Sequence, residues 1–319
     1  MANGFFTDTT LCIGCKACEV ACKEWNQLPA ENYHLSGMSY DNTVALSATT
    51  WRHVAFIEQI GNGSHATAAT DGANRPGAQA VSESIRQQPG PQVRSGDGLL
   101  GEHRWLMMSD VCKHCTNAGC LDACPTGALI RNEFGDVYVQ PDICNGCGYC
   151  VPACPFGVID LQQADGRVWK CTLCFDRQKE GLTPACAKAC PTQSILFGDL
   201  AELRARAEKR VGMLHARGIT GAYLYGGPDE HTSVGPLNAF FLLVDEPHVY
   251  NLPVNPQLPQ SKVLPAYLAT ALTATFFGVA TLYTLLAGRR WSKNPLSAGF
   301  PLRGMREKTM RWGVRRNRA

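Results

Sequence analysis

Large apolar residues are spread unevenly along the 319-residue chain, and their spacing changes character several times. The run Thr50-Trp51-Arg52-His53-Val54-Ala55-Phe56-Ile57 alternates enough to predict a strand, because side chains two apart share a face of a pleated strand. Ala128-Leu129-Ile130 and Val137-Tyr138-Val139 flank Asn132-Glu133-Phe134-Gly135-Asp136, which predicts a hairpin with a glycine-containing turn. From 199 to 217 Leu and Ala recur among Arg, Glu and Lys at helical spacing, and 237 to 244 is a strand-like apolar run. Residues 61 to 99 differ: they are rich in Gly, Ala, Ser, Gln and Pro and hold too few large apolar side chains to build a core, so a flexible surface insert is expected there.

The pattern changes again after a Pro-rich stretch from Pro247 to Pro265, where the 26 residues from Val263 to Gly288 carry no charge. As a helix this segment would be about 39 Å long, enough to cross a hydrocarbon core of roughly 30 Å, and it is expected to be a single transmembrane helix. Its five threonines lower its hydrophobicity and are expected to bond their own backbone or a neighbouring helix. The tail from Arg289 to Ala319 then has ten Arg and Lys against Glu307 alone, net +9, so the preceding residues carry −6 of the formal +3. Cytoplasmic flanks of membrane spans collect Lys and Arg, which puts the tail in the cytoplasm and the rest of the chain on the outer, periplasmic face of the inner membrane. The same argument accounts for the basic run without nucleic acid. The first residues, Met-Ala-Asn-Gly-Phe-Phe-Thr-Asp, lack the basic and apolar regions of a secretory signal, so export together with a signal-bearing partner is expected.

The chemistry is carried by sixteen cysteines in four groups: Cys12, Cys15, Cys18 and Cys22; Cys112, Cys115, Cys120 and Cys124; Cys144, Cys147, Cys150 and Cys154; Cys171, Cys174, Cys186 and Cys190. C-x2-C spacing lets one turn of backbone present two sulfurs to neighbouring irons of a cubane cluster, and a third cysteine soon after adds another corner. The fourth cysteine of such a run ligates the partner cluster in two-cluster ferredoxins. The groups are therefore expected to work in pairs. Cys112, Cys115 and Cys120 join Cys154, and Cys144, Cys147 and Cys150 join Cys124. The outer groups pair across them, Cys12, Cys15 and Cys18 with Cys190, and Cys171, Cys174 and Cys186 with Cys22. Three runs end in Cys-Pro, at Pro125, Pro155 and Pro191, where fixed φ turns the chain away; Lys23 after Cys22 reads as a tolerated variant.

A disulfide scaffold fits poorly, because a chain of this length with 45% apolar residues can bury a core without staples. Zinc uses C-x2-C pairs, but a third cysteine at the same interval has no role in a four-coordinate site. Four [4Fe-4S] clusters remain. The fold class expected is α+β, two nested ferredoxin-like 2[4Fe-4S] units followed by one C-terminal transmembrane helix. The cluster domain spans 1–250, with an inner unit at about 105–165 inserted in the outer one and the flexible insert at 61–99. A Pro-rich linker at 251–262, the span at 263–288 and the tail at 289–319 follow.

No dinucleotide fingerprint, P-loop or nucleophile elbow is present, so catalytic residues are expected to be none, and the span has no histidine to ligate a haem. Clusters on a membrane tether without a reaction site form a one-electron conduit between partners. His114 is read as tuning a cluster by hydrogen bonding or charge rather than ligating it, since the thiolates suffice. Lys16, Lys113 and Lys170 are read either as raising cluster potentials or as ordinary solvated lysines. Trp25 and Trp169 are read as packing residues.

Cys12-Ile-Gly-Cys15-Lys-Ala-Cys18 with Cys22-Lys-Glu-Trp25-Asn26, Gly146-Cys-Gly-Tyr-Cys150 with Cys154-Pro-Phe-Gly157, Trp169-Lys-Cys-Thr-Leu-Cys174 with Pro184-Ala-Cys186, and the terminal span carry a resemblance over nearly the whole chain. The chain resembles the iron-sulfur (beta) subunit of membrane-bound respiratory formate dehydrogenases, within the four-cluster subunits of the molybdopterin oxidoreductase superfamily. The resemblance implies a molybdenum- or tungsten-pterin catalytic alpha subunit that oxidises formate, and a cytochrome b gamma subunit that passes electrons to quinone. An equivalent subunit of a hydrogenase or of a sulfoxide or sulfur-compound reductase is the alternative, and a zinc-stabilised membrane scaffold the non-redox one. Nitrate reductase relatives replace one ligand by Trp; all sixteen cysteines are present here.

Overall fold

The computed structural model describes residues 2–30, 41, 43–59, 104–228 and 232–292, with side chains as far as 287. The expected insert at 61–99 and the tail beyond 292 lie outside the described residues. The chain divides into two compact units, Met1–Lys262 and Val263–Ala319.

In the first unit the elements run β1 (Asn3–Asp8), α1 (Ala17–Trp25), β2 (Arg52–Gln59), β3 (Arg104–Val111), α2 (Gly119–Asp122), β4 (Leu129–Arg131), β5 (Val137–Val139), α3 (Cys150–Ala153), β6 (Asp160–Leu161), β7 (Val168–Trp169), α4 (Phe175–Lys179), α5 (Ala185–Lys188), β8 (Ile195–Asp199), α6 (Leu200–Ala216), β9 (Tyr223–Tyr225) and β10 (Ala239–Leu243). The fold is mixed α and β. Its largest sheet has the order β8-β1-β10-β9, with β1 parallel to β10 and antiparallel to β8. Phe5, Phe6, Phe240, Phe241, Leu242 and Leu243 are buried on both faces, which is why β1 and β10 read as apolar runs rather than alternating ones. Asp199 caps α6, its carboxylate accepting from the Ala201 and Glu202 amides, so the charged helical pattern begins where the strand ends. Leu203, Ala207 and Leu214 then face the core.

β2 and β3 form a separate antiparallel ribbon in which Arg52 pairs with Val111 and Gln59 with Arg104. Two small hairpins, β4–β5 and β6–β7, complete the unit. The first is the hairpin expected at 128–139; the Asn132 side-chain oxygen accepts from the Phe134 and Asp136 amides and closes its turn.

The second unit contains α7 (Val263–Ser292). Among the described residues it is the one helix long and apolar enough to cross a membrane, with mean hydropathy 1.6. Its threonines bond their own helix: Thr270, Thr273 and Thr281 donate to the carbonyls of Ala266, Ala269 and Phe277 at 2.8–3.1 Å. Their hydroxyls are thereby satisfied within the helix itself.

Candidate metal centres

No disulfide joins any two of the sixteen cysteines, which goes against the disulfide reading. The four C-x2-C loops share one backbone device. The residue before the second cysteine is left-handed in every loop: Gly14 (φ 66°), His114 (φ 44°), Gly146 (φ 73°) and Leu173 (φ 53°). This curl turns successive amides inward, and two runs accept it without glycine, a backbone strain of the kind concentrated at functional sites. Gly146 has a second reason to be glycine, since a Cβ there would lie 2.1 Å from the Gly166 carbonyl oxygen.

A second device follows the fourth cysteine. Gly127, Gly157 and Gln193 take positive φ and their amides donate back to Cys124, Cys154 and Cys190 at 3.2–3.4 Å, so each Cys-Pro begins a tight turn. Cys22 departs from this because α1 continues through Lys23 to Trp25, with Asn26 N–H donating to the Cys22 carbonyl. A proline at 23 would interrupt that helix.

The sulfurs gather in sets. Cys12 lies within electrostatic reach of Cys190 and Cys15, Cys22 of Cys186, Cys171 and Cys174, Cys115 of Cys154, Cys112 and Cys120, and Cys150 of Cys124, Cys144 and Cys147. Cys112, Cys115, Cys120 and Cys154 line one small pocket, walled by Val137, Val158 and Ile159 together with Lys113, His114 and Lys170. Burial pushes the Cys18, Cys120, Cys150 and Cys174 thiols up to about 12 and raises Cys171 and Cys22 as well, so a thiolate in these sites needs a cation to hold its charge. Cys124 is more exposed, and hydrogen bonds from the Thr126 hydroxyl and nearby amides outweigh its burial and lower it. The donor set fits iron-sulfur clusters: soft thiolates with apolar walls and inward amides. Among the described residues no three His, Cys, Asp or Glu side chains converge tightly enough for a single metal ion, as a zinc site requires.

Buried cations complete the sites. Lys113 and Lys170, 1% and 2% exposed, are not solvated lysines. Lys170 donates to the Val137 and Cys171 carbonyls at 2.5 and 3.0 Å; burial works against its charge, but Cys112, Cys120 and Cys171 outweigh this and raise its pKa. Lys113 lies over the Phe156 and Phe241 rings at 5.3 and 5.2 Å and pairs with Asp110. Lys16 lies 3.5 Å from both Glu19 and Asp41. Spacing gave no sign of Arg52, the largest fully buried side chain. Burial works against its charge, yet Cys186, Cys18, Cys171 and Cys22 outweigh that and hold it above its ordinary range.

His114 is buried with neither ring nitrogen partnered among the described residues, and burial, then Lys170, Arg131 and Arg52, hold it well below its ordinary range. Trp169 stacks on Trp51 at 6.3 Å, as a packing residue should. Trp25 is instead half-exposed, beneath Arg177 and donating to Asp176 at 2.7 Å.

Two models of a 4Fe-4S dicluster domain match, over residues 11–128 and 103–200. Among curated proteins, the chain is 39% identical over 262 residues to the formate dehydrogenase iron-sulfur subunit of Haemophilus influenzae, covering 81% of this chain and 70% of that one. It is 37% identical over 285 residues to the nitrate-inducible formate dehydrogenase iron-sulfur subunit of Escherichia coli, covering 86% and 82%. A subunit of the anaerobic dimethyl sulfoxide reductase of the same organism is 30% identical over 202 residues, covering 63% and 75%. Two dicluster matches and sixteen cysteines together support four [4Fe-4S] clusters.

Proposed function

The chain belongs to the family of formate dehydrogenase iron-sulfur subunits, and from that premise we propose that it relays electrons from a formate-oxidising molybdenum- or tungsten-pterin subunit to a membrane cytochrome b and quinone. The observation that carries this reading is the pocket lined by Cys112, Cys115, Cys120 and Cys154, with Cys115 within electrostatic reach of the other three. Each set would hold one [4Fe-4S] cluster: Cys12, Cys15, Cys18 and Cys190; Cys22, Cys171, Cys174 and Cys186; Cys112, Cys115, Cys120 and Cys154; Cys124, Cys144, Cys147 and Cys150. The clusters supply one-electron transfer when bound. The residues around them hold the charge, exclude water and set the spacing.

The nested arrangement of two ferredoxin-like units belongs to this reading. The electrostatic contact between Cys112 and Cys171 favours a junction there between the inner and outer units. The remaining sets would then form the two ends. Cys15 is exposed beside the exposed apolar Ile13 and Val20, and Cys147 beside Ile143 and Tyr149. Exposed apolar side chains around an exposed ligand loop suit a docking face through which an electron enters or leaves. Membrane association is suggested by α7. The outer-face orientation, with a cytoplasmic C-terminus, rests on the positive charge after the span.

The higher identity to formate dehydrogenase subunits than to the sulfoxide reductase subunit favours formate as the electron source. The test is to add formate anaerobically to the native membrane complex isolated through this chain. Bleaching of cluster absorbance on mixing is expected. Reduction by dithionite alone would leave a conduit but reject formate.

A further inference from the structure

Arg52 lies 2% exposed inside the outer half of the cysteine array. It opens β2, with its guanidinium over the Phe5 ring and within electrostatic reach of Cys186, Cys18, Cys171 and Cys22. Its Nη2 donates to the Cys186 sulfur at 3.1 Å. Its Nη1 donates to the Ser109 carbonyl at 3.3 Å and the Ser109 hydroxyl at 3.4 Å, and that hydroxyl lies 3.2 Å from the Cys18 sulfur. The guanidinium stacks 4.8 Å from the Phe5 ring. One network thus joins a sulfur of each of the two outer sets, Cys18-Ser109-Arg52-Cys186.

Among the described residues no carboxylate pairs with Arg52. Burying a cation without a partner costs several kcal/mol. The countercharge must come from the cysteine sulfurs and what they bind. A cluster on four thiolates is an anion that gains one further negative charge on reduction, so a fixed cation nearby favours the reduced form.

Resting on the cluster reading above, we infer that Arg52, anchored by Ser109, is a positioning residue that holds up the reduction potentials of both outer clusters together. Lysine is no substitute at full strength: guanidinium keeps its proton when buried and its planar fork reaches Cys186 and Ser109 at once.

The test uses the native complex, titrated anaerobically against potential with each cluster followed by its paramagnetic resonance signal. In Arg52→Gln two of this chain's four midpoints should move negative by at least tenfold in the reduction equilibrium, about 59 mV for one electron, while the other two stay. In Arg52→Lys both should stay nearer the unsubstituted values, a graded response that a purely structural role would not produce. Four clusters present with unmoved midpoints, or all four moving alike, would overturn the inference. Should Arg52→Gln assemble with iron missing, Ser109→Ala decides: loosening the guanidinium's anchor should lower the midpoints of both outer clusters and leave the other two, and an unmoved midpoint at the cluster on Cys186 rejects the role. An unsubstituted complex without clusters on this chain would instead reject the reading on which the inference rests.

Discussion

Asp136 shows how burial at one residue makes the molecule sensitive to pH. Its carboxyl is fully buried, accepts from Gln178 Nε2 at 2.8 Å, and leaves Oδ1 without a partner among the described residues. Burial pushes it up to about 7 from an ordinary 3.8, against the Gln178 hydrogen bond and the Lys170 and Arg131 charges. The folded state therefore binds a proton that the unfolded chain has released. The resulting stability is full below about pH 4, is lost progressively as pH rises to about 7, and is flat above, with an upper bound of about 4 kcal/mol. The temperature at which the loaded complex loses its cluster colour should fall between about pH 5 and 7.5, and Asp136→Asn, which mimics the neutral form, should flatten that fall. An equal fall in both would reject the assignment. At this scale the ligands were legible because cysteine spacing is a direct record of cluster chemistry. Arg52 and Asp136 were not, because a single charged residue in a strand or turn looks the same whether solvent or sulfur faces it.

Among elements, the loops that carry the ligands are the most exacting. Gly146 must be left-handed and must let the Gly166 carbonyl approach, so Gly146→Ala is both strained and blocked by backbone. Purified anaerobically, that variant should lose about four irons per chain and one resonance signal, the signature of one missing cluster. Gly157 is the matched control: it is also left-handed, at φ 61°, but a Cβ there meets open space, so Gly157→Ala should keep its iron. Full loading of Gly146→Ala would show that the approach at Gly166 is not needed. The 128–139 hairpin, the helix near 199–217 and the apolar span were readable because each signal is local. The shared left-handed position was only half readable: glycine marks it at 14 and 146, while His114 and Leu173 conceal it.

At the scale of the whole molecule, the main sheet escaped the sequence because its central pairing, Phe5 with Ala239 through Asp8 with Leu242, is parallel and joins the two ends of the cluster-bearing unit. No periodicity encodes a partner that far away. The consequence is functional. By pairing with both β8 and β10, β1 ties the first cysteine run to the chain that follows the last, and Ser194, just beyond Cys190, donates its hydroxyl to the Asp8 carbonyl at 2.7 Å, just before Cys12. That brings the predicted partners Cys12 and Cys190 to one place and supports the pairing of the outer runs. The measurement that bears most directly on this architecture is a count on the chain purified anaerobically: iron, acid-labile sulfide and the electrons taken up in a stoichiometric reductive titration. Four one-electron acceptors with roughly sixteen irons and sixteen sulfides per chain are expected. A colourless, zinc-loaded chain that takes up no electrons, or one saturating at two, would contradict the four-cluster conduit.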